Sequence, residues 1–264
     1  MSEVEWAKLT YQDLASINKD KTVVILPLGS LEVHGPHMPL GTDTLVAYRI
    51  AVEAARRSQP CVVLPPLFYV YVPENRNFPG TISMSGLTVI KMLEEICDEV
   101  YRNGFKRILI FNGHGGNSKL LSLFVREMQE KGKPYLLYAW VDPWSGLHEL
   151  IEKVRETGQI GHACEIETSF GLYLFPELCK LERVSRPANL GLGREQLIEH
   201  LETMVDWVVY AVEGYVGDPR AASKQKGEML FNELLKMVTE VINKVRNDEL
   251  YEKILMDFYS RAGY

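Results

Sequence analysis

Glu32, His34 and Asp43 fall within twelve residues that also hold His37, Gly35, Pro36, Pro39 and Gly41. Carboxylates and imidazoles are hard or borderline ligands, and together they suit a divalent ion such as zinc or manganese. Glu32 and His34 are two apart, so in an extended segment both face one side. The prolines and Gly41 then turn the chain so that Asp43 can return to them. Asp43 also opens an amphipathic pattern, where a helix N-cap is the plain alternative for that residue.

Two later segments are built alike. The apolar run Ile108–Phe111 passes directly into Asn112-Gly113-His114-Gly115-Gly116-Asn117. Glycines here permit close backbone approach to a ligand. A Gly-rich strand-to-helix turn also suits phosphate, but the spacing matches neither common nucleotide fingerprint. His114 is therefore read as a candidate ligand, with a structural histidine as the alternative. The third segment is Gly161-His162-Ala163-Cys164-Glu165-Ile166-Glu167, ahead of an apolar helix. His162 suits proton transfer, because imidazole titrates near neutral pH. Glu167 fits an ordinary first-turn acid, Glu165 reads as solvated, and Cys164 as a buried, unreactive thiol.

The elements that must position these groups alternate. Strands are predicted at 22–28, 61–64, 107–111 and 135–141, and helices at 44–58, 86–103 and 117–131. Such alternation implies right-handed crossovers and a mostly parallel sheet covered on both faces. Each chemical segment lies just beyond the carboxyl end of a strand or at a helix start, where α/β proteins place their sites. Beyond 145 the pattern is mainly helical, with helices expected at 167–175, 195–213, 224–246 and 248–259, and loops at 186–193 and 214–220. No internal repeat or long linker divides the chain, so one α/β domain over residues 1–264 with a helical C-terminal part is the economical reading.

Composition narrows the class. At 46% hydrophobic and 24% charged residues, the 264-residue chain can bury a sizeable core. A net charge of −6 argues against a nucleic-acid partner. No apolar run reaches the roughly 20 residues of a membrane span, and the start has no signal-peptide pattern. Cys61, Cys97, Cys164 and Cys179 lie far apart with no C-x-x-C pair, which points to free thiols and the cytoplasm.

Taken together, the stretches LPLGSLEVHGPHMPLGTD (26–43), NFPGTISM (77–84), NGHGGN (112–117) and GHACEIETS (161–169) resemble the creatininase (creatinine amidohydrolase) family. They occur in the family's order over about 145 residues. The resemblance implies a parallel α/β fold of about four strands, a small-molecule substrate, a homo-oligomer that is often hexameric, and two divalent ions per chain (zinc, manganese or iron). It implies that Glu32 and His34 bind different ions, that Asp43 bridges them, and that His114 completes the first set. His162 matches the histidine thought to shuttle protons. A metal-bound hydroxide would attack a carbonyl carbon, and His162 would protonate the leaving nitrogen or carbon.

Departures from the pattern bear on substrate. Creatininase proper carries Tyr-Glu after this histidine, the Glu ligating the second metal, where this chain has Gly115 and Gly116. Glu167 is the candidate replacement, with a catalytic part as well. A Trp-Asp pair that encloses creatinine is matched here by Gly158 and Gln159, which argues against creatinine as substrate and for another branch. The expected reaction is cleavage of a C–N bond in an amide or formamide of a small, polar, possibly cyclic substrate. The alternative is hydrolytic C–C opening of a cyclic diketone such as one derived from inositol. Tyr69–Asn77 leads into the FPGT motif, so Glu74 and Arg76 are expected to contact substrate beside Gly115 and Gly116, with a solvated loop as the alternative. Trp140 and Trp144 fit either a pocket wall or the core.

Overall fold

The computed structural model describes residues 3–188, 204 and 211–264. Four parallel strands form its sheet: β1 (Val23–Leu28), β2 (Cys61–Val63), β3 (Arg107–Asn112) and β4 (Leu136–Trp140), in the spatial order β2-β1-β3-β4. Register runs Val23 opposite Arg107 through Leu28 opposite Asn112, so the central strands end level with each other. Each central strand is buried along its whole length, which explains runs that are apolar throughout rather than alternating.

Eight α-helices surround the sheet among the described residues: α1 (Tyr11–Ser16), α2 (Thr42–Arg57), α3 (Gly86–Arg102), α4 (Ser118–Glu130), α5 (His148–Val154), α6 (Glu165–Leu174), α7 (Lys224–Asn247) and α8 (Leu250–Ala262). On one face Val24, Leu26, Ile108 and Ile110 pack with Leu93 and Cys97 of α3 and Leu121 and Phe124 of α4. On the other, Val23, Ile25, Leu109 and Phe111 pack with Ile50 of α2, Phe170 of α6, and Leu234 and Val238 of α7. The helical C-terminal part is thus the second cover of the sheet.

Predicted and observed elements agree within a few residues wherever both exist. Helix α1 was not expected, because it buries none of its residues; a capping box between Thr10 and Asp13 holds it instead. The helix expected at 195–213 lies outside the described residues except at 204 and 211–213, where the chain bends and turns. Residues 189–193 of the expected loop lie outside them as well. No helix among the described residues is long and apolar enough to cross a membrane.

Candidate metal centre

The carboxyl ends of β1 and β3 lie side by side, and Gly113 N–H donates to Leu28 O at 2.6 Å to lock them. A Cβ on Gly113 would stand 2.7 Å from Asp43 O and 2.8 Å from Ala47 Cβ, so only glycine lets α2 close onto the end of β3. From β1 the chain continues through Ser30 to Glu32 and His34, and Gly35 turns it at φ 60°. Asp43 lies in the first turn of α2, whose N-cap position is Gly41 and carries no side-chain cap. The cap alternative for Asp43 therefore falls: its carboxylate is engaged elsewhere.

Asp43 joins two histidines. Oδ1 lies 3.0 Å from His34 Nε2, and Oδ2 lies 2.9 Å from His114 Nδ1. The same His114 nitrogen stands 2.7 Å from Glu32 Oε1. Ligand atoms of Glu32, Asp43 and His114 all lie within 4.8 Å of one another, as do those of Glu32, His34 and His162. Glu167 Oε2 is 3.8 Å from His34 Nε2 and accepts from Ala163 N–H. His162 is half-buried, its ring centroid 4.3 Å from that of His34, with Nε2 donating to Val33 O at 2.6 Å.

The charges are strongly interdependent. Burial opposes charge on Glu32, yet the imidazoles of His114 and His162 hold its carboxyl below the ordinary value. For Asp43, too, burial is outweighed, by His34 and His114, and its carboxyl lies well below the ordinary value. Against its own burial, His34 is raised to about 9 by Asp43, and His114 well above its ordinary value by Glu32 and Asp43. Glu167 moves the other way: burial, reinforced by Asp43, raises its carboxyl despite His162 and His34. Protons on His34 and His114 thus hold together carboxylates that a divalent ion would hold by displacing them. The donor set, buried and convergent, fits such an ion.

Several groups that the sequence reading passed over complete the frame. Ser30 Oγ stands 3.0 Å from Glu32 Oε1 and 2.9 Å from Asp43 Oδ2, so one hydroxyl proton is shared between two carboxylates. Buried Asn75 donates its amide to Glu32 Oε2. Asn112 accepts from His114 N–H and donates to His114 O and Val141 O, fixing the loop that carries the ring. Asn117 donates to Gly29 O rather than capping α4. Only position pointed to Asn75 and Ser30, which lie inside the segments 69–77 and 26–43.

Glu74 Oε1 is 3.4 Å from His114 Nε2, whereas Arg76 is exposed at the end of the Pro73–Asn75 turn. A Cβ on Gly115 would meet no atom of the described residues within 4 Å. Cys164 is buried and its thiol is pushed up to about 11 by burial, as an unreactive thiol should be. Glu165 corrects the sequence reading. Far from solvated, it is fully buried, accepts the N–H groups of Glu156 and Thr157, and pairs with Lys226 of α7. Trp140 packs on Phe111, and Trp144 edge-on to Phe170.

Comparison with known proteins gives this arrangement a context. The chain is 32% identical to a mycofactocin precursor peptide peptidase of Mycolicibacterium smegmatis, covering 86% of each chain. It is 27% identical to a 3-dehydro-scyllo-inosose hydrolase of Thermotoga maritima, covering 91% of this chain and 84% of that one. Identity to a creatinine amidohydrolase of Pseudomonas putida is 26%, over 90% of this chain and 95% of that one. Creatininase structures of Zn-Zn and Mn type superpose with TM-scores of 0.79, at 26% identity, over 94% of this chain and all of theirs. The model of the creatininase (creatinine amidohydrolase) family matches residues 7–242. On its fold, its centre and this match, the chain belongs to the creatininase family, whose members are metal-dependent hydrolases.

Proposed function

We propose that the chain hydrolyses a C–N bond in an amide or formamide of a small polar substrate, using two divalent ions per chain. One observation carries the reading: Asp43 offers one oxygen to His34 and the other to His114, as a bridging carboxylate must. Glu32, Asp43 and His114 would hold one ion; His34, Asp43 and Glu167 would hold the second. Zinc and manganese are the leading ions, given the Zn-Zn and Mn creatininase structures, with iron as a further candidate. An ion there supplies a Lewis acid for the substrate carbonyl and an acidified water as nucleophile.

The chain's own residues do the rest. His162 is held beside His34 by the hydrogen bond from Nε2–H to Val33 O, and its imidazole would take a proton and return it to the leaving group. Glu167, whose carboxylate accepts from Ala163 N–H and stands 3.8 Å from His34 Nε2, lies within the same group of side chains. Gly115 and Gly116, with Glu74 and the exposed Arg76 on the Pro73–Asn75 turn, are the residues that would meet the substrate. Hydrolytic C–C opening of a cyclic diketone is the second reading, favoured by the likeness to the inosose hydrolase. It needs the same groups, with His162 protonating a carbanion.

Free cysteines support a cytoplasmic place, and packing of α7 against both α2 and α6 supports one working domain. A homo-oligomer is the expected assembly. Elemental analysis of protein purified without chelators tests the centre, with about two ions per chain expected. A panel of formamides, cyclic amides and cyclic diketones tests the bond. Metal-free protein that hydrolyses any of them as fast as the loaded enzyme would sink the proposal.

A further inference from the structure

His114 presents its two ring nitrogens to different carboxylates. Nδ1 faces Glu32 and Asp43 at 2.7 and 2.9 Å and is the nitrogen turned toward the candidate centre. Nε2 points away, is buried, and makes no hydrogen bond among the described residues. At 3.4 Å from it stands Glu74 Oε1, on a side chain only 7% exposed. A buried N–H and a buried carboxylate each lose free energy when left unpaired. Each is the partner the other needs.

Two neighbouring features are fitted to that contact. Glu74 comes from the Pro73–Asn75 turn, and the next residue, Asn75, donates to Glu32. One turn therefore addresses two members of the cluster. On the other side, a Cβ at position 116 would stand 2.5 Å from Glu74 Oε1 and closer still to His114 Nε2. Gly116 leaves the space in which the carboxylate and the ring meet, and any side chain there would separate them.

We propose that Glu74 is a positioning residue: it accepts the Nε2 proton of His114 and so fixes Nδ1 as the nitrogen offered to the ion, with Gly116 supplying the room. The assignment rests on the metal-centre reading above. A carboxylate on the far nitrogen of a ligating histidine sets its tautomer and orientation and raises its basicity, and removing such a partner weakens metal binding roughly 10- to 100-fold.

The test is zinc affinity, measured by competition with a chromogenic chelator, for wild type, Glu74→Ala, Glu74→Gln, Gly116→Ala and the Glu74→Ala/Gly116→Ala pair. Glu74→Ala is expected to weaken zinc binding about 10- to 100-fold. Gly116→Ala should weaken it comparably, and the pair no more than the worse single change, since both break one contact. Glu74→Gln, nearly the same size and still able to accept, should lose affinity by a smaller factor, and it decides the matter if Glu74→Ala does not fold. In zinc-loaded wild type, the Nε2 proton of His114 should give a slowly exchanging proton resonance that Glu74→Ala abolishes.

Unchanged affinity in both Glu74 variants, additive losses in the pair, or a resonance that persists without Glu74 would each overturn the proposal. Wild-type protein that fails to bind zinc would overturn the metal-centre reading and this one together. Zinc binding that is equal in wild type and the Glu74 variants overturns this one alone.

Discussion

His34 Nε2 lies 3.0 Å from Asp43 Oδ1, tying the loop after β1 to the first turn of α2. The second carboxylate oxygen reaches His114 beyond β3, so three stretches of chain meet on one side chain. Replacing it by an amide removes the charge and makes one of its two arms a donor. Asp43→Asn should therefore lose bound metal on elemental analysis and lower turnover by at least about 100-fold. Full metal content with retained turnover would contradict the bridging assignment.

His162→Ala separates proton transfer from ligation. The variant should keep its ions while turnover falls on the order of 100-fold or more, the scale of general acid–base catalysis. Because Glu32, His34 and His162 also form a candidate ligand group, the alternative outcome is specific. Loss of metal in the variant would make His162 a ligand.

Lys226 and Glu165 are a buried pair, 9% and 0% exposed. Lys226→Met leaves the carboxylate without its cation, which typically costs about 3–5 kcal/mol. Adding Glu165→Gln should recover part of that, since the N–H groups of Glu156 and Thr157 can still donate to the amide oxygen. Urea unfolding midpoints of the single and double variants check both halves. Equal stability of wild type and Lys226→Met would show that the pair contributes nothing.

Acid should act on Glu94, hydrogen-bonded by Lys131 at 2.6 Å and paired with Lys133 at 2.9 Å. Those lysines hold its carboxyl at about 2, against an ordinary value of 4.5. A carboxyl depressed by folding stabilises fully above its unfolded value, and the contribution is lost as pH falls through the folded one. Glu94→Gln should thus lower the melting temperature by about 2–4 °C near pH 7, with the gap closing between pH 4.5 and 2. A gap that is constant down to pH 2 would exclude the linkage.

Strands β1 and β3 were legible because burial of both faces forces unbroken apolar runs, and no helix start competes with them. That Glu32, His34, His114 and His162 would come together was legible because each follows such a run or precedes a helix among glycines. Helix α1 was not, since a helix that buries nothing leaves no period to read. Glu165 was misread for a related reason: its partner Lys226 lies 61 positions downstream, and spacing along the chain says nothing of that pairing. Asn75 was missed likewise, because its contact with Glu32 spans 43 positions and an asparagine in a loop ordinarily signals only a turn.

Two glycines two residues apart have opposite surroundings. At Gly113 the start of α2 presses so closely that no side chain would fit, while no atom of the described residues stands within 4 Å of a Cβ on Gly115. The two residues that flank His114 therefore differ: one is sealed against α2 and the other is not. Gly115→Ala should therefore fold with little loss, whereas Gly113→Ala would push α2 away from the end of β3.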